Sequence, residues 1–137
     1  MGLDNGIVVK SDKRKITRDD LPPEILYPFD EDYNDNPEIL YWRKNWGLRD
    51  SIVHYLEAID NKVQEGTYLI RTYYEIFDIV DIIFHFLDKK VWDEEGESIW
   101  EYEEVKERLQ DDIVNLVLII SFMKENPDIY LEFYDSY

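Results

Sequence analysis

Apolar positions along the chain recur with two different periods, and the change of period marks out the elements. GIVVK at 6–10 is a short run of branched residues and predicts a strand. EILYW at 38–42 reads as a second strand and TYLI at 67–70 as a brief one. The tail IYLEFY at 129–134 alternates: Ile129, Leu131 and Phe133 face one way, Tyr130, Glu132 and Tyr134 the other. Such alternation is the mark of a half-buried strand. Elsewhere the period lengthens to that of a helix. Trp46, Val53, Leu56, Ile59 and Val63 predict a first helix over about 43–64, closed by a turn at Glu65-Gly66. A second, over about 71–88, carries Tyr73, Ile76, Phe77, Val80, Ile83, Phe84 and Leu87 on one side. Tyr74, Ile79, Ile82 and Phe86 widen that side until a narrow polar stripe remains (Arg71, Glu75, Asp78, Asp81, His85 and Asp88), so this helix is expected to be mostly buried.

The third helix is expected to start at Ser98, an N-cap with Glu101 three residues on, and to run to Glu125 before Asn126-Pro127. Ile99, Tyr102, Val105, Leu109, Ile113, Leu116 and Ile120 share one face; Glu97, Glu101, Glu104 and Asp111 lie opposite, interrupted by Arg108. Beyond residue 113 the opposite face fills with Val114, Leu118, Ile119 and Phe122, which predicts a central position for this half. Leu116, Ile120, Val80 and Phe84 are expected to share one core. Twenty-eight residues of helix extend about 42 Å, against a radius of gyration of about 14 Å for a chain this long. Either the helix breaks or its acidic end projects.

These elements predict an α+β fold: three helices packed against a small, mainly antiparallel sheet, in a single domain over residues 1–137. Residues 11–37 read as a long irregular connection. LPPEILYPF within it holds three prolines, which enforce extended or turn-like backbone.

Charge sharpens this picture. The chain has 32 acidic and 15 basic residues, a formal charge of −17, so nucleic acid and anionic membranes repel it and a charge-selected partner would be basic. The acids are concentrated: eight lie in 19–38, seven in 93–104 (Asp93, Glu94, Glu95, Glu97, Glu101, Glu103 and Glu104) and four in 125–137. There is no cysteine, hence no disulfide or thiolate chemistry. The opening MGLDNGIVVK lacks the basic and apolar regions of a signal peptide, and IVNLVLIISFM at 113–123 is shorter than the roughly 20 residues a bilayer span needs. A cytoplasmic protein is expected.

MGLDNGI at the start and YWRK at 41–44, a strand-to-helix junction, resemble a loose group of small bacterial and phage proteins of unassigned activity. Members begin Met-Gly-Leu-Asp and carry Tyr-Trp-Arg-Lys at such a junction. The match covers Met1 to Asp4 and Tyr41 to Lys44; it implies a phage or prophage origin and brings no catalytic residues.

Candidate chemistry is sparse. Asp50-x3-His54-x2-Glu57 and Asp81-x3-His85-x2-Asp88 each put carboxylates on the histidine's face of a helix, as half a metal site would. Neither has the spacing of a zinc or di-iron motif, so no metal, cofactor or catalytic residue is assigned. Phosphate loops and G-x-S-x-G are missing, and the chain is not expected to be an enzyme. Trp42 and Trp46, flanking Arg43 and Lys44, are expected to pack strand against helix rather than to bind. The strongest candidate is the segment around residues 92–104. Its acids Asp93, Glu94, Glu95, Glu97, Glu101 and Glu104 would meet the Arg and Lys that hold phosphates, and Trp92 and Trp100 would anchor the contact. The expected function is that of an acidic phage-type inhibitor, a nucleic-acid mimic that occupies the nucleic-acid-binding surface of a basic host protein. Two alternatives stand beside it: a small-molecule or metal-binding module built on the polar stripes of the first two helices, and an assembly protein with a solubilising acidic surface.

Overall fold

The computed structural model describes residues 3–31 and 35–137. The branched run near the N-terminus forms β1 (Asp4–Ser11), longer by a few residues than its apolar core. It pairs in unbroken antiparallel register with β5 (Ile129–Ser136), from Asp4 opposite Ser136 to Ser11 opposite Ile129. β2 (Glu38–Arg43) flanks β1 on the other side, with an irregularity between Ile7 and Val8. β4 (Thr67–Ile70) continues the sheet beyond β5, and β3 (Lys62–Gln64) forms its edge, giving the order β2-β1-β5-β4-β3. The last two strands form a hairpin whose turn holds Gly66 at φ +76°, a conformation in which a Cβ is strained.

Among the described residues four helices accompany the sheet: α1 (Trp46–Ala58), α2 (Tyr73–His85), α3 (Lys89–Glu95) and α4 (Tyr102–Glu125). The class is therefore α+β, with four helices rather than the expected three. α1 is shorter than expected because Asn45 caps its start, its side chain accepting the Leu48 N–H, and because Lys62–Gln64 leave the helix to pair with β4. The third helix was expected to start at Ser98; α4 instead starts with Glu101 as its N-cap, and Lys89–Glu95, where no helix was expected, make a separate short helix ended at Gly96. α4 itself is unbroken over 24 residues, about 36 Å.

One apolar cluster joins Ile7, Val9, Leu131 and Phe133 of the sheet to Ile76, Ile79 and Ile83 of α2 and Leu109, Leu116 and Ile119 of α4. Leu116 and Ile120 are buried and Val80 is half-buried against the cluster. Phe84 was expected there too, but it is 63% exposed. It lies 100° around α2 from the buried Ile83, on the side turned away from the sheet. Tyr74 and Phe77 are exposed as well, as are Val114 and Val117 of α4, so both helices bury one stripe only. The expectation that α2 is mostly buried, and that the second half of α4 is central all round, is corrected accordingly.

The connection from 11 to 37 is irregular, as expected, with one 3-10 turn at Arg18–Asp20. It is nevertheless pinned. Ile16, Leu21 and Ile25 are buried in the cluster. Asn115, inside the apolar face of α4, accepts the Leu26 N–H at 2.7 Å and donates to the carbonyls of Leu26 at 2.7 Å and Ile39 at 2.8 Å. Among the described residues no helix is long and apolar enough to cross a membrane.

Candidate acidic interface

The 92–104 segment is built on the β2–α1 junction. Lys44, at φ +52°, turns the chain out of β2. The Gly47 N–H donates to the Glu97 carbonyl at 2.9 Å, the Ile99 N–H to the Lys44 carbonyl at 3.4 Å, and Asn45 bridges Ser98. A Cβ on Gly47 would stand 2.2 Å from the Glu95 carbonyl oxygen, so glycine alone lets the two segments touch. Gly96 plays the same part against Trp92, whose carbonyl and ring carbons lie within 3 Å of where its Cβ would be.

Both tryptophans face inward. Trp92 is 5% exposed and meets Phe86 edge-on, with ring centroids 6.2 Å apart. Its ring therefore fixes α3 to the core and offers no anchor to a partner. Trp100 is half-buried: its indole N–H donates to the Arg43 carbonyl at 2.6 Å and its ring meets Trp42 edge-on at 6.0 Å. The Arg108 guanidinium lies 4.5 Å from the Trp42 ring and 4.9 Å from the Trp100 ring, and Arg108 donates to the Tyr41 carbonyl at 3.0 Å. Beneath them the Trp42 indole N–H donates to Asp112 at 2.7 Å. Trp42 thus has the packing role expected of the YWRK junction.

With the rings inside, the carboxylates are left outside. Asp93, Glu94, Glu95, Glu97, Glu101 and Glu104 are all exposed. Asp93 pairs with Lys89 at 2.7 Å and Glu95 with His85 at 3.3 Å, both at the surface, where such pairs are weak. Glu104 accepts the Glu101 N–H at 3.3 Å and closes the α4 N-terminus. Glu94 and Glu97 form no ion pair among the described residues.

The acids of 125–137 are largely spent within the molecule, whereas Asp19, Glu24, Asp30, Glu31 and Asp35 of the 19–38 group are exposed. Asp135 is buried and accepts three hydrogen bonds from Arg49, of 2.6 to 3.1 Å, and one from Asn5. Asp128 takes Ser11 and Arg14, which hold its carboxyl below the ordinary range, and Glu132 takes Lys10. In the 19–38 group, Asp20 caps its own turn and Glu38 is buried, accepting a hydrogen bond from Tyr134. Burial together with that carboxylate raises the Tyr134 phenol, and burial with Asp4 pushes Tyr41 up to about 12. Asp32 lies outside the described residues, as do Met1 and Gly2 of the opening motif.

Asp112 and Asn115 were not singled out from sequence. The signal was there: both fall at helical spacing among Leu109, Leu116 and Ile119, on the face that must be buried. His54 and His85 stand on separate exposed surfaces, and among the described residues no group of three His, Asp or Glu side chains is placed to hold a metal ion. The fold and this corner define an α+β protein with an antiparallel sheet and an anchored acidic surface. No family model matches the chain, and neither a curated protein nor a solved structure matches it.

Proposed function

We propose that the chain is a binding protein, not an enzyme, and that the acidic corner formed by α3 and the start of α4 engages the basic surface of another protein. One observation carries the reading. The carboxylates of 93–104 are exposed on a backbone locked by Trp92, Trp100 and Gly47, whereas the acids of 125–137 are largely consumed by internal pairs. A fixed row of carboxylates suits Arg and Lys side chains that otherwise hold phosphates, at small cost in conformational entropy. A basic host protein that binds nucleic acid is the partner this fits, inhibition of that protein is the role, and the opening motif's resemblance to phage proteins supports a phage origin only.

The test is capture from a bacterial lysate by the wild-type chain and by a Glu94→Lys, Glu95→Lys, Glu97→Lys variant. Two of the three positions lie in the last turn of α3, where lysine suits the helix dipole, so folding is expected to be preserved. Basic proteins should be retained by the wild type at about 0.1 M salt, released toward 1 M as screening shortens from about 10 Å to about 3 Å, and lost with the variant. Equal capture by both proteins at both salt concentrations would refute the reading.

A further inference from the structure

At the far end of α4 from the acidic corner, Lys124 and Arg71 line one hollow. It has a volume of about 460 Å³ and opens between the start of α2 and the end of α4. Tyr73, Tyr74, Met123 and Pro127 supply apolar walls, and Arg71 and Lys124 stand at its margin. Its lining holds no carboxylate, in a chain with 32 of them.

Of the carboxylates nearby, Glu125 beside Lys124 is exposed, and the others are engaged. Asp12 pairs with Arg71 at 3.1 Å, and Asp128 with Ser11 and Arg14. Glu75 accepts the N–H groups of Arg71 and Thr72 and a hydrogen bond from Asn61, and it lines a different hollow beside Asp60 and Leu69. Lys124 forms no ion pair among the described residues; its ammonium lies 4.8 Å from the centre of the Tyr73 ring. Arg71 is likewise held over an aromatic face, 4.4 Å from the Tyr130 ring, which fixes the guanidinium at the margin. The hollow falls in the size range of ligand pockets, roughly 300–1,000 Å³, and combines apolar walls with two cationic side chains.

We propose that this hollow binds a small organic anion with a flat apolar body: an aromatic carboxylate, sulfonate or phosphate ester. The rings and Met123 would take the body, and Lys124 and Arg71 the charged group. The inference is independent of the acidic corner.

Met123 is a built-in reporter, because the chain has only two methionines. The experiment titrates the full chain, labelled with ¹³C at the methionine methyls, with naphthalene-1-sulfonate and, separately, with the neutral 1-naphthalenemethanol. The Met123 methyl should shift saturably with the sulfonate and far less with the alcohol. Lys124→Gln should weaken sulfonate binding roughly tenfold, the loss expected of one charge-assisted hydrogen bond. Arg71→Gln should also weaken it, and both variants should keep the wild-type unfolding midpoint. No Met123 shift with the sulfonate, equal binding of the neutral compound, or unchanged affinity in a folded Lys124→Gln variant would each overturn the proposal.

Discussion

Asp112 is a buried carboxyl on the inward face of a helix, and it accepts a hydrogen bond from the Trp42 indole N–H. Burial raises its pKa well above the ordinary carboxylate range, more than Trp42 and Arg108 lower it. The folded state therefore holds a proton that the unfolded state releases. Stability from this group is complete below about pH 4, the unfolded value, and is lost as pH rises through the folded pKa. Asp112→Asn keeps an acceptor for Trp42 and removes the titration. Urea midpoints measured from about pH 4 to 8 should show the variant gaining on the wild type as pH rises; parallel profiles would contradict this. Packing gives a second test at the same scale. Leu116→Ala should cost about 2–5 kcal/mol, because it empties a fully buried site. Phe84→Ala, at an exposed site, should stay within about 0.5 kcal/mol in the same unfolding measurement. The contrast between these two residues also shows what periodicity can read. Both are apolar and at helical spacing, but Phe84 stands at the edge of a stripe wider than the surface available to cover it.

At the scale of elements, four of the five described strands were legible because alternation and branched residues survive in short windows: 67–70 and the start of β2 fall where the pattern puts them, whereas β3 was read as the end of the first helix. α3 was not legible. Its seven residues make about two turns, too few for a period to emerge, and their charge reads equally well as loop. The start of α4 was misplaced by a few residues because Ser98 offers a capping pattern that Glu101 and Glu104 fulfil instead. What holds this region is a contact between segments distant in sequence, which no local pattern encodes. Gly47 is the point of closest approach. Gly47→Ala should destabilise by about 1–3 kcal/mol through overpacking and displace Glu95 to Ile99. Amide chemical shifts of Ser98 and Ile99 are the readout; a variant of wild-type stability with unmoved amides would mean that the junction is not closely packed.

Over the whole molecule, composition announced an acidic protein but not which acids are free. Asp135, Asp128, Glu132 and Glu38 look the same in sequence as Glu94 and Glu97, yet the fold buries or pairs the first four and leaves the last two in solvent. The candidate site was thus half legible: its carboxylates are where the sequence puts them, while its tryptophans serve the core. Binding by such a surface depends on charge more than on buried rings, so it should be fast, salt-sensitive and competitive with phosphates. A basic protein captured by the wild-type chain is loaded with fluorescent duplex DNA, and its anisotropy is followed as the chain is added. The wild type should displace the DNA at about 0.1 M salt and the Glu94→Lys, Glu95→Lys, Glu97→Lys variant should not. DNA that stays bound with the wild type, or that both proteins release equally, would contradict it.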